Sequence, residues 1–435
     1  MSSGVGSQVL EEGLTLSGGL PLRLIHRPGP ALLAARLVVR GGSAADPEGQ
    51  RGAHQLLAGL MSRGCGDLDA EALADRVEGA GAGLRAEAGE DNLVLALKCA
   101  APDAAELLPL LLQMVRQPRL EPDQLELERQ LNLQTLQRQR EDPFQLAHDQ
   151  LRRQLYGRGP YGHDPLGVEQ ELENIEQPQL QPLVQGLGAQ GALLVLCGEL
   201  PEQPLALLES AVPGEPWSTG LPLPAGPAAT AHDGAGPRLC VLEQETEQLV
   251  LLLGCRTLPF GHEDTLALRL LQAHLGVGMS SRLFITMREE RGLAYDVGVH
   301  LPARLVEAPF VMHLSTSAER AAEACACLLE EWQRLLEQPL SAAELELALA
   351  KHRGQDAMAR QTCGQIAERA ALLLSHGLPA DHFERCLERA GSLSPEELQR
   401  AAQRWLQAPS LSLVGPSETI AAASRVWERH RTGEG

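Results

Sequence analysis

The sequence predicts an α+β protein made of two duplicated domains, each an antiparallel sheet flanked by helices. Three observations carry this reading. Strands, helix, strand pair, amphipathic helix, long helix, helix and final strand occur in that order twice along 435 residues. The segments Leu120-Glu-Pro-Asp-Gln-Leu-Glu-Leu and Leu340-Ser-Ala-Ala-Glu-Leu-Glu-Leu superpose, and at the same offset Gly157 meets Gly377 after a helix of matching length. Four matching letters are weak evidence of a repeat, but matching order over some 200 residues is not. Finally, residues 213–236 are Pro/Gly-rich and nearly uncharged, the composition of a linker. They separate an N-terminal domain, 1–212, from a C-terminal domain, 237–435.

In the first copy, Gly13 to Ile25 and Ala31 to Arg40 alternate as strands, broken at Arg27-Pro-Gly-Pro30. A helix opens near His54, and a short one follows over Asp69 to Glu78. The turn Gly79-Ala-Gly-Ala-Gly83 leads into a strand pair, Leu84 to Ala88 and Asn92 to Ala100. The spacing of apolar residues predicts helices over 103–117, Glu121 to Gln139, Pro143 to Leu155 and Pro178 to Leu187, with loop over Gly157 to Gly167. Ala192 to Cys197 closes the copy as a strand. In the second copy an amphipathic helix over 318–336 and a strand over Ser410 to Val414 hold the equivalent places.

Apolar content of 44% and charged content of 22% are those of a globular protein with ample core. Aromatics are only 3%, so Leu, Ala and Val must fill that core. A net charge of −20 argues against nucleic acid and against an anionic membrane surface, both of which repel an acidic chain. Positive charge is nearly all arginine, with lysine only at 98 and 351. The nine cysteines contain no C-x-x-C, and several sit inside apolar runs, as buried free thiols of a reducing compartment would. Met1 to Ser7 shows no basic n-region with an apolar run behind it, and apolar runs such as Leu249 to Cys255 are far too short to cross a bilayer. The expected location is the cytosol.

The most informative stretch is Gly52-Ala-His-Gln-Leu-Leu-Ala-Gly-Leu-Met-Ser-Arg-Gly64, which opens a helix after two strands. In its register it resembles the inverted zinc motif H-x-x-E-H of the pitrilysin/insulinase (inverzincin) metallopeptidases. His54 stands at the first ligand, Leu57 at the glutamate that activates water, and Ala58 at the second histidine. The family's third ligand is a glutamate seven residues after a Glu-Arg pair; after Glu128-Arg129 that position is Thr135. Glu128 lies two helical turns back, roughly 10 Å away at 1.5 Å per residue, too far to substitute. A catalytic zinc needs about three protein ligands and a base for its water. Here one imidazole of four groups is left, and His54 reads as a histidine satisfied by a backbone carbonyl. The resemblance covers essentially the whole chain, since the family fold is a pair of such domains.

The second copy keeps a different part of the family pattern. Leu275-Gly-Val-Gly-Met-Ser-Ser-Arg-Leu-Phe284 precedes Met287-Arg-Glu-Glu-Arg-Gly-Leu-Ala-Tyr295, and Arg288 and Tyr295 have the seven-residue spacing of an arginine and a tyrosine that approach bound peptide in active relatives. The resemblance implies that Arg288 holds a substrate carbonyl and that Tyr295 steadies an oxyanion. Two plainer alternatives stand beside this. Arg288 pairs with Glu289 or Glu290, or Tyr295 is a core aromatic with a satisfied hydroxyl. Gly276-Val-Gly278 is either a flexible turn or a substrate-contacting loop; with no Lys-Ser/Thr behind it, it is no phosphate loop. Ala267 to Leu271 holds no zinc motif, and no G-x-S-x-G is present. Histidines 148, 163 and 382 show no ligand spacing, and Cys325 and Cys327 point to different faces of a helix.

The resemblance therefore implies a non-catalytic subunit, like that of heterodimeric processing-peptidase-like enzymes. It would hold no cofactor itself and close over an extended peptide with a zinc-bearing homologue, or as a homodimer. Leu84 to Ala88 and the strand after it would offer an edge for peptide. A purely structural, core-protein-like assembly subunit is the alternative, and an active peptidase with a shifted metal site is the third.

Overall fold

The computed structural model describes residues 10–211, Trp217, Gly220 and 238–432. The first copy runs β1 (Leu10–Thr15), β2 (Pro21–His26), β3 (Leu32–Arg40), α1 (Ala53–Met61), α2 (Ala70–Gly79), β4 (Gly83–Ala88) and β5 (Asn92–Ala100). It continues with α3 (Ala104–Arg116), α4 (Pro122–Gln139), α5 (Pro143–Tyr156), α6 (Glu169–Leu172), α7 (Gln177–Gly186), β6 (Leu193–Gly198) and α8 (Pro204–Ala211). The second runs β7 (Leu239–Glu243), β8 (Gln248–Arg256), α9 (Thr265–Gly276), a π-helical segment (Phe284–Glu290), β9 (Val297–His300), β10 (Pro309–Ser317), α10 (Ala321–Glu337) and α11 (Ala342–Met358). It ends with α12 (Cys363–Ser375), α13 (His382–Ala390), α14 (Pro395–Trp405), β11 (Ser410–Gly415) and α15 (Ser417–Thr432).

Strand orders β1-β2-β6-β3-β5-β4 and β7-β11-β8-β10-β9 repeat one topology, with β1 added to the first sheet. Both sheets are antiparallel apart from one parallel pair each, β2 with β6 and β7 with β11. The duplicated α+β architecture is thus present in the structure.

The two compact units are not simply the two contiguous halves of the chain. One comprises Met1–Leu136, His163–Leu223 and Ala357–Ala380; the other comprises Gln137–Gly162, Pro224–Asp356 and Asp381–Gly435. The first unit therefore takes α12 from the second copy, and the second takes α5 from the first. Side-chain alternation explains why each sheet needs such a helix. Leu33, Leu37 and Val39 of β3 enter the main core of the first unit with α1 and α3, while Ala34 and Val38 on its opposite face pack with Ala367 and Ala371 of α12. Arg36 and Arg40 share that second face and are buried; Arg36 Nε donates to Glu368 Oε2 at 2.7 Å and Arg40 Nη2 to the Ser375 carbonyl at 3.0 Å. In the second unit, Val250, Leu252, Val311 and Val414 pack on Ala147 and Leu151 of α5, and Ser412 Oγ donates to the Ala147 carbonyl at 2.9 Å.

One sequence expectation needs correction. Gly13 to Ile25 is a hairpin, β1 and β2, rather than one strand; Gly19, at φ +91°, donates to the Leu16 carbonyl at 2.8 Å and turns the chain. The expected linker 213–236 lies outside the described residues apart from Trp217 and Gly220. Trp217 is docked on the first unit, where its N–H donates to the Gly18 carbonyl at 3.1 Å and Arg116 stacks over its ring at 5.2 Å.

Candidate functional site

The helix that carries the degenerate motif begins without a capping side chain. Gly52 precedes α1 at φ +104°, a conformation that favours glycine, and a Cβ there would lie 2.8 Å from Gly167 Cα. The orphaned first N–H groups of the helix need an acceptor from elsewhere. Asp46 supplies it: its carboxylate accepts from Gly52 N at 2.6 Å and from His54 N at 3.0 Å. The same carboxylate meets His54 Nδ1 at 2.8 Å and His163 Nε2 at 3.2 Å, with none of its side chain exposed. Burial alone would push the Asp46 carboxyl up, but hydrogen bonds from His163, His54 and Gly52, with the charge of His54, hold it below the usual carboxylate range. His54 is thus satisfied by a carboxylate and not, as its sequence suggests, by a backbone carbonyl.

The other three motif positions offer no metal ligand. Leu57 and Ala58 are fully buried in the first unit's core. Thr135 Oγ1 donates to the Leu131 carbonyl one turn back at 2.8 Å. Glu128 reaches α1 but is engaged there: Arg63 Nε donates to its Oε1 at 2.7 Å, and its Oε2 fills the space a Cβ on Gly59 would enter. Among the described residues no group of three His, Cys, Asp or Glu could hold a metal ion. The donors at the motif positions do not fit a catalytic zinc.

Sequence reasoning missed Asp46 and His163. His163, largely buried against Asp46, is a partner of the degenerate site. A helix that opens on glycine with an acid six residues upstream was the available signal for Asp46; nothing in the spacing points to His163.

Arg288 and Tyr295 are brought together. Arg288 sits in the π-helical segment, a rare geometry that recurs at functional sites. Its guanidinium lies 4.8 Å from the Tyr295 ring centroid and 4.8 Å from that of Phe284, and Nη1 donates to the Tyr295 carbonyl at 3.0 Å. Tyr295 is 79% exposed, so it is no core aromatic, and among the described residues its hydroxyl has no hydrogen-bond partner. Arg288 pairs with neither Glu289 nor Glu290 in this arrangement. Upstream, Gly276 lets β9 approach, since a Cβ there would lie 2.8 Å from Val299 N; Gly278 is at φ +76° and Met279 is exposed. β4 is an edge strand with alternating exposure, whereas β5, expected to share that role, lies inside the sheet. Ala267 to Leu271 lies in α9, largely buried.

The sequence model of the insulinase family (peptidase family M16) matches residues 24–167, and that of the peptidase M16 inactive domain matches residues 188–351. The chain belongs to the M16 family. With three of four motif positions replaced, it is an inactive homologue within that family. An uncharacterized zinc protease of Mycobacterium tuberculosis is 26% identical over 78% of each chain. A protein of Helicobacter pylori called a non-peptidase homolog is 22% identical over 87% of this chain and 85% of its own length. Among solved structures, a peptidase M16 inactive domain from Pseudomonas fluorescens superposes with a TM-score of 0.85 at 21% identity, covering 94% of this chain and 98% of its own. A protease from H. pylori gives 0.84 at 18% identity, covering 94% and 100%. Both share the fold of this chain. No helix among the described residues is long and apolar enough to cross a membrane.

Proposed function

We propose that this M16 homologue is the non-catalytic subunit of a two-chain peptidase. A zinc-bearing homologue supplies the metal and the water-activating base. This chain supplies Arg288 to a substrate carbonyl, Tyr295 to the developing oxyanion, and the β4 edge to an extended peptide. The observation that carries the reading is the exposed Tyr295, clamped by Arg288 with its hydroxyl unengaged, in a chain whose own zinc helix is filled with leucine and alanine. Tyrosine joins an apolar ring to a polar tip, the combination enriched at interfaces, so an exposed ring with an unengaged hydroxyl suits a partner or ligand. The name borne by the H. pylori relative, a non-peptidase homolog, agrees with a chain inactive by itself.

Affinity capture from native lysate tests the pairing. The expected result is a co-purifying chain of similar size with an intact H-x-x-E-H, and peptide hydrolysis by the mixture that neither chain shows alone. Capture of a large assembly without a zinc-bearing homologue, and no hydrolysis, would overturn the proposal in favour of a purely structural subunit.

A further inference from the structure

The helix that the first unit takes from the second copy brings two cysteines together. Cys363 is the first residue of α12; Cys197 lies on β6, on the face that α12 covers, beside Leu193 and Val195. They come from opposite copies of the chain, yet Cys363 packs against the apolar cluster that holds the Cys197 side chain, close enough for the two thiols to interact. The other thiols with a recorded bond turn elsewhere: Cys240 to Gln154, Cys255 to the Trp405 carbonyl, Cys325 to the Ala423 carbonyl and Cys386 to His382.

The placement of Cys363 is fixed from both sides. Thr362 caps α12 in a reciprocal pair with Gln365, and Arg27 Nη1 donates to the Gln361 carbonyl at 3.1 Å, tying the helix start to the end of β2. Cys197 is fully buried, whereas Cys363 is partly exposed, so a small oxidant in solution reaches Cys363 first.

We propose that Cys363 and Cys197 form a redox modification site, in which a peroxide converts the pair to a disulfide that bolts α12 to β6. The Cys363 sulfur attacks a peroxide oxygen and the O–O bond breaks, leaving a sulfenic acid and one water. The Cys197 sulfur then attacks the Cys363 sulfur. The S–S bond forms as the S–O bond breaks, and the departing hydroxide leaves as water with the Cys197 proton. Two thiols lose two electrons in all, and one hydrogen peroxide becomes two waters. Cys197 is sealed from an oxidant in solution, which leaves it the second step, against the sulfur of Cys363 packed beside its cluster.

The full chain, reduced and then treated with hydrogen peroxide, is alkylated and digested without reductant for mass spectrometry. The expected product is a linked pair of peptides containing Cys197 and Cys363, two hydrogens lighter than their sum and released by dithiothreitol. The oxidised chain should also melt several degrees higher than the reduced one, because the crosslink restricts the unfolded ensemble. C363S and C197S should each lose the linked pair, while C65S keeps it. Recovery of both residues as alkylated thiols, or of Cys363 as sulfinic acid beside alkylated Cys197, would overturn the proposal. The unmutated chain decides this even if a variant fails to fold.

Discussion

His54 Nδ1 stands 2.8 Å from Asp46 Oδ1, and the same carboxylate holds the first N–H groups of α1. The one surviving letter of the zinc motif has therefore become a structural residue. In active metal sites a carboxylate behind a histidine orients it toward the ion; here the carboxylate and helix start absorb the interaction.

Asp46→Ala should cost about 3 kcal/mol, since it strands a buried imidazole and uncaps α1. Because the Asp46 carboxyl is held below its unfolded value of 3.8, its contribution is present above that pH and is lost as pH falls through the folded value. Urea unfolding from pH 7 to pH 2 should show a shallower acid limb in Asp46→Asn than in the unmutated chain. A cost too small to resolve for Asp46→Ala would remove the structural role assigned to the pair.

Metal analysis of the purified chain after dialysis against zinc should find less than one ion per chain. Ala58→His by itself should not repair this, and should destabilise by about 1–3 kcal/mol, because Ala58 is fully buried and an imidazole overpacks the site. Stoichiometric zinc lost on His54→Ala would contradict the account.

In the mixture with a zinc-bearing homologue, Arg288→Ala and Tyr295→Phe should each lower kcat/KM by about a hundredfold to a thousandfold, the range of a lost oxyanion donor. Both side chains are exposed, so thermal unfolding of this chain should barely move. Equal activity of both variants with the unmutated mixture would show that neither residue meets substrate.

Acid should weaken the second unit before it protonates Asp46. Burial, reinforced by Arg152, pushes His148 down to about 3; burial, reinforced by Arg304, pushes His300 down to about 4; burial, against the pull of Glu344, pushes His274 down to about 4. The unfolded chain binds these protons near pH 6.5 while the folded chain refuses them. Stability is full above that pH and falls as pH drops toward 4, by at most about 1.4 kcal/mol per pH unit for each histidine. Denaturant midpoints at pH 7, 6 and 5 check this, and His148→Gln should reduce the slope. A midpoint independent of pH across that span would rule out buried neutral histidines.

The repeat was legible because each copy must bury the same faces, so the order of strands and helices recurs with its apolar spacing. The loss of the zinc ligands was legible too, since Leu57, Ala58 and Thr135 carry no imidazole or carboxylate wherever they lie. The hairpin at Gly19 was not, because strand alternation continues through a turn this tight. Nor was the role of His163, which meets Asp46 only through the loop that returns to the start of α1.

The amino-acid order by itself determined which elements form and which chemistry this chain lacks, because periodicity and donor inventory are local properties. Only the tertiary structure decided that α5 and α12 change sheets, that buried Arg36 and Arg40 find partners on α12, and that Cys197 meets Cys363. A sheet with two apolar faces must be covered on both, but the alternation that demands a second helix does not say which part of the chain supplies it.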